Sequence, residues 1–508
     1  MTHAELPALT RRRILVRLIR SGLAAALAAT LSGLHVPALA AAADSAPVYP
    51  PIVFVHGNGD NAASWTTTVW RFESNGWPRE RLFAVDLPYP LARDDDTKEQ
   101  PGRSSSTEQR ATLAAEVDRV LAATGARQVV LMGNSRGGLT IRNYIANAGG
   151  AAKVSHAILA GTPNHGVWAL PNFRPGNEFN GAGPFLKALN APRAADGSLL
   201  PLAAAASSAG AASATSAGAS GATSAAPAGL EITPGPKWLT LRSDGNDKYA
   251  QPDGSAIGAK GMKTHVTAEG PALAGAENLV LPERDHRETA FHRDAFQAAW
   301  RFLTGREATV DITPEAAITL DGKVTGVSGA GPTNLPVPGA QLTVYAIDPA
   351  TGQRRGQALL QKTVGEDGRW GPLKTDSKTH LEFVIEQGGN QMAVTHIFRS
   401  PFARSSSVVH LRPERMLSLE VGARAVVIFS RPRGYFGLPR DTVLLDGQGG
   451  LPGLSTGVAT AAQSRSILRE GDRKVVGQFR SGAIDETVVG WAWPAGKDKV
   501  VTVLELHH

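Results

Sequence analysis

The segment VVLMGNSRGGLTIRNYI, residues 129–145, places Ser135 between Gly133 and Gly137 in the pattern Gly-x-Ser-x-Gly. An apolar run precedes the serine, and a segment compatible with a helix follows it. A serine at a strand-to-helix turn can be held with its Oγ exposed, and the glycines leave room for that tight turn. The helix N-terminus also favours negative charge that develops nearby. Ser135 is therefore a candidate nucleophile, and the alternative is a purely structural turn.

A nucleophilic serine needs a base, which in Gly-x-Ser-x-Gly enzymes comes last in the chain, on a loop after the final strand. His286, in RDHRETAF, follows the apolar run NLVL and precedes an amphipathic segment. We predict that its imidazole takes the Ser135 proton during attack and returns it to the leaving group. The other histidines that compete for this role are His156, His165, His265 and His292.

The base in turn needs an acid that holds the imidazole in its working tautomer. The loop after the predicted strand WLTLRS offers Asp244, Asp247 and Asp253. We predict Asp247, in DKYAQP, because a proline follows it closely, as is common after such an acid. Asp244 is the alternative. The one of these two residues that is not the acid is expected to be an ordinary, solvated turn aspartate.

The negative charge on a substrate oxygen needs backbone N–H donors placed where that charge develops. The N–H of Arg136, next to the candidate nucleophile, is predicted to be one donor. The loop after the first predicted strand, VFVHGNGDNAASW, supplies the other, and Asn58 is the predicted residue. His56 in the same loop is expected to be architectural, not a base.

Other chemistries find little support in the sequence. The chain has no cysteine, which excludes disulfides and thiolate metal ligands and leaves catalysis to oxygen nucleophiles. It has no HExxH, phosphate loop or dinucleotide fingerprint, and the acidic run 94–96 is expected to be a solvated loop. We therefore predict no metal and no cofactor. RSPFAR (399–404) and RPRGYFG (431–437) are expected to be exposed turns, with contact to an anionic or lipid surface as the alternative.

Several kinds of element must position these residues. Residues 51–165 alternate short, wholly apolar strands with helical segments. Strands that are apolar on both faces and separated by helices indicate a parallel sheet covered on both sides. The sequence therefore predicts an α/β domain over residues 41–305, closed by an amphipathic helix from about His292 to Gly305.

Three further segments have distinct compositions. Residues 164–201 are rich in Gly, Pro and Asn and predict an irregular cap over the strand ends. Residues 203–229 are a low-complexity run of small residues, which predicts a flexible surface insertion without chemistry. Short alternating strands between Gly, Pro, Asp and Asn turns predict an all-β sandwich or barrel over residues 306–508. Two β modules divided near Pro413 are the alternative.

Residues 1–40 read as an export signal peptide. They combine a basic start, an apolar run and the small-residue triplet Ala38-Leu39-Ala40. The run from Thr10 to Leu15 resembles a twin-arginine signal, with a general secretory signal as the alternative. We expect a periplasmic or secreted protein that does not span a membrane. Five arginines against one glutamate give this segment +4 of the net charge of +7, so nucleic-acid binding is not indicated.

Four motifs together resemble those of secreted microbial lipases of the α/β-hydrolase superfamily: FVHG, GNSRGG, LAGTPNHG and the closing DHRETAF. The layout is similar to that of an archaeal long-chain lipase with a C-terminal β domain that binds lipid. The resemblance implies an α/β-hydrolase fold with Ser135, Asp247 and His286 as catalytic triad. It also implies that Asn58 and Arg136 line the oxyanion hole.

The chain departs from that pattern beside the serine. Asn134 and Arg136 stand where such lipases usually carry His and Met or Gln, and we expect the Arg136 charge near the acyl site. The function predicted is an exported serine carboxylic-ester hydrolase acting on lipids or other water-insoluble esters through an acyl-enzyme, with the β half binding the lipid surface. A polyester depolymerase and a non-catalytic surface-binding protein on a hydrolase scaffold are the alternatives.

Overall fold

The computed structural model describes the chain from Tyr49 to its last residue, with short gaps. The described residues are 49–201, 229–251, 257, 261–262, 264–388, 393–496 and 499–508. The chain from Tyr49 onward forms one compact unit. The predicted signal 1–40 lies outside the described residues, as does the predicted insertion 203–229 except for its last glycine. In the described part, no helix is long and apolar enough to cross a membrane.

The first half is built on a six-stranded parallel sheet. Its strands are β1 (Ile52–Val55), β2 (Leu82–Val85), β3 (Val129–Asn134), β4 (Val154–Ala160), β5 (Lys237–Arg242) and β6 (Glu277–Val280). They lie in the order β2-β1-β3-β4-β5-β6, and every pair of neighbours is parallel. β1 and β3 are buried along their whole length, as the apolar runs predict.

The described residues of the first half form seven α-helices, and helices lie on both faces of this sheet. They are α1 (Thr66–Ser74), α2 (Ser106–Thr124), α3 (Arg136–Asn147), α4 (Gly150–Lys153), α5 (Pro184–Leu189), α6 (Glu288–Phe291) and α7 (Arg293–Thr304). Ile52 and Phe54 pack toward α1 and α7, whereas Val53 and Val55 pack toward α2 and α3. This alternation along one buried strand confirms the predicted α/β fold.

The closing helix has the ends that the sequence predicts. The His292 side chain accepts a hydrogen bond from the Asp294 backbone N–H at the start of α7. Gly305 ends the helix in the left-handed conformation, where a residue without Cβ is favoured.

The second half is almost entirely β. Its strands are β7 (Ala317–Leu320), β8 (Thr325–Ser328), β9 (Gly331–Pro336), β10 (Gln341–Ile347), β11 (Arg354–Thr363), β12 (Leu373–Asp376), β13 (His380–Glu386), β14 (Thr395–Arg399), β15 (Ala425–Ser430), β16 (Thr442–Leu445), β17 (Gln463–Leu468), β18 (Arg473–Ser481), β19 (Ile484–Ala492) and β20 (Val501–Glu505). The predicted all-β character of this half is confirmed.

A seven-stranded sheet in the order β11-β10-β13-β14-β20-β15-β17 organises this half. Its two faces belong to different apolar cores: on β15, Val426 and Ile428 pack on one side, and Val427 and Phe429 pack on the other. The second core is covered by the three-stranded sheet β16-β18-β19. The large sheet contains strands from both sides of Pro413, so the two β modules considered as an alternative share one sheet.

Apolar packing continues across the predicted boundary between the two halves. Trp70 of α1 is 2% exposed and belongs to the core of the β half. Its ring meets that of Phe402 edge-on with centroids 6.2 Å apart, and its Nε1 donates to the Ser405 carbonyl over 3.0 Å. The β half is therefore packed against the α/β half through a buried aromatic residue.

Candidate active site

Ser135 is the single residue between strand β3 and helix α3. Its backbone has φ 52° and ψ −118°, a region that residues other than glycine occupy only when their surroundings enforce it. Its N–H donates to the Ala160 carbonyl over 2.8 Å, which fixes the turn to the end of β4. Ser135 is 8% exposed and lines a cavity of about 180 Å³. This is the strained strand-to-helix turn expected of a nucleophile.

The glycines around Ser135 are required by close backbone approach. A Cβ on Gly133 would lie 2.7 Å from the Gly137 carbonyl carbon, and a Cβ on Gly137 would overlap the Val55 carbonyl oxygen. A Cβ on Gly57 would come within 3.3 Å of the Ser135 Cβ. The first two therefore hold helix α3 against the sheet, and Gly57 brings the loop after β1 next to the serine.

His286 and Asp247 form a direct pair. His286 Nδ1 donates to Asp247 Oδ2 over 2.7 Å, and both side chains are buried. The other Asp247 oxygen accepts from the Tyr249 backbone N–H over 2.9 Å, which orients the carboxylate. His286 Nε2 is buried and has no hydrogen-bond partner among the described residues. The pair thus has the arrangement of an oriented imidazole whose second nitrogen is available.

The histidine lies over the edge of the sheet where Ser135 is found. Gly161 directly follows β4, and a Cβ on it would meet the His286 carbonyl oxygen at 2.9 Å and His286 Nδ1 at 3.5 Å. The Tyr249 ring packs edge-on against the His286 imidazole with centroids 4.7 Å apart, and Tyr249 also lines the Ser135 cavity. The structure therefore brings Ser135, Asp247 and His286 to the same carboxyl edge of neighbouring parallel strands.

The alternative acid has other partners. Asp244 Oδ1 accepts from both the backbone and the side-chain nitrogen of Asn246, and Asp244 Oδ2 accepts from the Glu283 backbone N–H over 2.7 Å. These bonds close the turn after β5. Asp253 lies outside the described residues. Of the two aspartates that the structure describes in this loop, only Asp247 contacts the histidine.

The two residues predicted to stabilise an oxyanion, Asn58 and Arg136, both lie close to Ser135. Asn58 lines the same cavity as Ser135, and its side-chain oxygen accepts from the Ala92 backbone N–H over 2.7 Å. This bond ties the loop in place beside the cavity. Arg136 is the first residue of α3, where N–H groups have no partner within the helix.

The Arg136 side chain is not a free charge beside the acyl site. It is 1% exposed and forms a bidentate ion pair with Glu178 of the cap, at 2.6 and 2.7 Å. It also donates to the Ser104 carbonyl over 2.6 Å and to the Pro90 carbonyl over 3.1 Å. The expected charge is therefore compensated inside the protein, and the arginine fastens the cap to the helix that follows Ser135.

The other histidines of the α/β half have structural partners. His165 pairs with Glu231 at 3.0 Å, and His156 packs edge-on against Phe302. His56 donates to the Gly57 carbonyl and accepts from the Leu87 backbone N–H over 3.0 Å. Burial lowers the pKa of His56, which keeps it neutral. These contacts favour architectural roles.

The described residues contain no group of three or more His, Asp or Glu side chains that could hold a metal ion. In the acidic run 94–96, Asp95 accepts from Thr97 and Asp96 accepts from Ser106. Both carboxylates are therefore engaged in local turns and helix ends.

The Ser135 cavity is lined by apolar and by charged side chains. The apolar ones include Val167, Trp168, Phe179 and Ile257, and the charged ones are Arg93, Asp94, Arg103 and Arg174. A larger cavity of about 420 Å³ lies between the two halves beside Trp70 and His507, and no predicted site residue lines it. Chemistry and not size therefore identifies the smaller cavity as the candidate site.

The two basic-aromatic segments of the β half are buried, so the expectation of exposed turns is wrong. Arg431 is 1% exposed and Tyr435 6% exposed, and in the other segment Arg399 is 6% and Phe402 2% exposed. Burial also removes them as a lipid-binding surface. Arg431 contacts the residues on both sides of His286, a role that sequence reasoning missed.

Two family models match parts of the chain. Residues 50–188 match the alpha/beta hydrolase fold, and residues 316–416 match the lipase C-terminal domain. The first match contains Ser135 and the loop with Asn58, and the second lies within the β half.

Solved structures with some likeness include lipases and an esterase. The mature lipase BlEst2 of Bacillus licheniformis shares 21% identity, with 51% of this chain and 93% of that chain covered and a TM-score of 0.30. Lipase B of Aspergillus fumigatus shares 13%, with coverage of 52% and 54% and a TM-score of 0.31. Carboxylesterase CesB of Bacillus subtilis shares 15%, with coverage of 51% and 84% and a TM-score of 0.25.

Proposed function

We propose that this chain, an α/β-hydrolase with a lipase-type C-terminal domain, is a serine carboxylic-ester hydrolase. Ser135 is the nucleophile, His286 the general base and acid, and Asp247 the residue that orients the imidazole. The backbone N–H groups of Asn58 and Arg136 stabilise the oxyanion. The observation that carries this proposal is the 2.7 Å Asp247–His286 pair at the sheet edge where strained Ser135 lines a cavity.

The reaction follows from these positions. Ser135 Oγ attacks the ester carbonyl carbon while His286 Nε2 takes its proton, and Asp247 stabilises the imidazolium that forms. The carbonyl oxygen becomes an oxyanion that accepts from the two backbone N–H groups, each worth a few kcal/mol of barrier. Collapse breaks the ester bond, and His286 returns the proton to the alkoxide. Water then hydrolyses the acyl-enzyme by the same steps, which restores Ser135.

The direct test is the activity of Ser135→Ala on p-nitrophenyl esters of graded chain length. We expect kcat to fall by about 10⁵-fold or more, because the nucleophile acts as one unit with its base. The matched control is Ser106→Ala, which changes a serine on α2. A Ser135→Ala protein that keeps more than a trace of wild-type activity, while folded, would make this mechanism wrong.

We further propose that the natural substrate is a lipid or another water-insoluble ester. Support comes from a turn of the β half that exposes three apolar side chains: Leu417 at 42%, Leu419 at 73% and Val421 at 72%. Apolar side chains that project from a turn can enter the boundary of a lipid layer. Arg424, which is exposed and follows this turn in the sequence, would favour an anionic surface.

Replacing Leu419 and Val421 by aspartate tests the surface role. We expect activity on triglyceride emulsions to fall by about tenfold, with soluble-ester activity unchanged, since the loss concerns docking. Leu359→Asp changes an exposed leucine of strand β11 and serves as control. Equal activity of all forms on emulsions would remove the docking role, and a selective loss on polyester film would favour a polymer substrate.

Export through residues 1–40 is also proposed, on the basis of the signal-like sequence alone. Sequencing the N-terminus of protein recovered outside the cytoplasm tests it, and we expect cleavage after Ala40. Changing Arg11 and Arg12 to lysine separates the two routes, because a twin-arginine signal requires both. Uncleaved protein in the cytoplasm would contradict export.

A further inference from the structure

The loop that carries His286 is held by residues of the β half. Arg431 Nη1 donates to Asp285 Oδ2 over 3.2 Å, and Arg431 Nη2 donates to Glu288 Oε1 over 2.7 Å. The Tyr435 backbone N–H donates to the same Asp285 oxygen over 2.7 Å. The guanidinium thus bridges the residue before the histidine and the residue two after it.

These two carboxylates also accept hydrogen bonds from backbone N–H groups of the loop itself. Asp285 Oδ1 accepts from the Arg287 and Glu288 backbone N–H groups, both over 2.8 Å, and the Asp285 backbone N–H donates to Glu288 Oε2. Asp285 is 0% exposed and Glu288 1% exposed. A change in the position of either carboxylate therefore moves the backbone that carries the His286 imidazole.

Arg431 favours the charged form of both carboxylates. Burial and the nearby Glu288 raise the pKa of Asp285, and Arg431 opposes this rise. Burial alone would also raise the pKa of Glu288, but Arg431 and Arg440 outweigh it and lower that pKa. Arg440 from the β half binds the second Glu288 oxygen. Two buried acids beside the catalytic histidine are thus compensated by guanidinium groups that lie beyond residue 430.

The β half also holds the loop that carries the predicted oxyanion donor. Asn334 Nδ2 donates to the Asp60 and Leu87 carbonyls, each over 2.9 Å. Arg287, next to the histidine, donates to the Pro432 carbonyl over 2.8 Å and forms an ion pair with the Asp60 carboxylate. The histidine loop, the oxyanion loop and the β half are therefore joined in one hydrogen-bonded network.

We propose that Arg431 is a positioning residue for His286, and that the β half completes the hydrolytic site in addition to any docking role. This inference rests on the proposed function, since it concerns the same histidine. It assigns to the C-terminal half an effect on the chemical step with every ester, soluble or not. A module that served docking alone would affect only substrates presented at a surface.

The test compares Arg431→Gln with wild type in the full chain. We expect kcat on a soluble p-nitrophenyl ester and the rate of Ser135 labelling by a fluorophosphonate to fall about 100-fold, because small misplacements of a base have effects of this size. KM should stay within about threefold, since Arg431 does not line the Ser135 cavity. Arg431→Lys should recover activity in part, because lysine keeps the charge but cannot bridge both carboxylates as the guanidinium does.

The matched control is Arg465→Gln, which removes a bidentate pair with the buried Glu420 elsewhere in the β half, at 2.8 and 2.9 Å. It should lower the melting temperature without changing the labelling rate of folded protein. The inference is overturned if folded Arg431→Gln keeps at least half of the labelling rate, or if Arg465→Gln loses as much as Arg431→Gln.

If Arg431→Gln does not fold, Arg440→Gln tests the same inference. Arg440 pairs with the same Glu288 and is 22% exposed, so its replacement should disturb folding less. We expect about a tenfold lower labelling rate, and an unchanged rate overturns the inference. Equal labelling of wild type and variant at Ser135 leaves the proposed function standing. Failure of the wild-type protein to label at Ser135 overturns the proposed function and the inference with it.

Discussion

At the residue scale, the site depends on which of two similar aspartates meets the histidine. Asp244 and Asp247 occupy one loop, and sequence alone left both open. Their hydrogen bonds distinguish the two aspartates. Asp244 accepts from Asn246 and Glu283, whereas Asp247 accepts from His286. The position of the serine was predictable because its turn is a local pattern of glycines between a strand and a helix. The choice of acid was not, since it depends on where two distant loops meet.

Asp247→Asn should therefore lower kcat by about 10³- to 10⁴-fold on a soluble ester, because an amide favours the wrong imidazole tautomer. Asp244→Asn should keep kcat within about threefold of wild type once the folded fraction is measured. Steady-state kinetics on both variants check this expectation. A larger loss for Asp244→Asn than for Asp247→Asn would show that Asp244, and not Asp247, is the acid.

At the element scale, the cap is fastened to the helix that follows Ser135, the proposed nucleophile. The sequence predicted the strands and helices of the α/β half from apolar runs, and it predicted an irregular cap from composition. It did not predict that Arg136 reaches Glu178, because the two lie 42 positions apart and neither shows its partner locally. A buried ion pair at this point links the shape of the cap to the turn at Ser135.

Glu178→Gln should lower the free energy of unfolding by about 3 kcal/mol, because it leaves the Arg136 guanidinium buried without its carboxylate. Glu116→Gln is the control, since it breaks an exposed pair with Arg119 and should change stability by less than about 1 kcal/mol. Urea unfolding followed by tryptophan fluorescence measures both. Equal effects would mean that the buried pair does not anchor the cap.

At the scale of the whole molecule, the β half holds the loop that carries His286 in the proposed hydrolytic site. The alternating strands after residue 306 were recognisable, but the contact of Arg431 with Asp285 spans 146 positions and has no local signal. The one visible hint was a run of basic and aromatic residues, which an exposed turn explains equally well. Long-range side-chain pairing, not secondary structure, is what the sequence left undetermined.

The packing between the halves should make stability depend on pH. Burial lowers the pKa of His507 to about 4, and the imidazole lies against Trp70 of α1. Between pH 6.5 and 4 the unfolded histidine binds a proton that the folded one does not, so stability falls as pH falls through this range. The raised pKa of Asp285 acts in the opposite direction, so a His507 variant is needed to isolate the effect.

His507→Gln should therefore lose less stability than wild type between pH 7 and pH 5, by about 2 kcal/mol. Glutamine can still donate to the Ser400 carbonyl, as His507 Nε2 does over 2.9 Å. Urea unfolding of both proteins at the two pH values gives the difference. Parallel loss in both proteins would show that His507 does not titrate as its burial implies.

The most direct measurement of the central claim is the site and rate of fluorophosphonate attachment, followed by mass spectrometry of the peptides. We predict a single phosphonylated residue, Ser135, in folded wild-type protein, with labelling abolished by prior unfolding in urea. His286→Ala should slow the labelling by about 10³-fold or more, because the serine loses its base. Attachment at another residue, or labelling of Ser135 that does not depend on His286, would contradict the account.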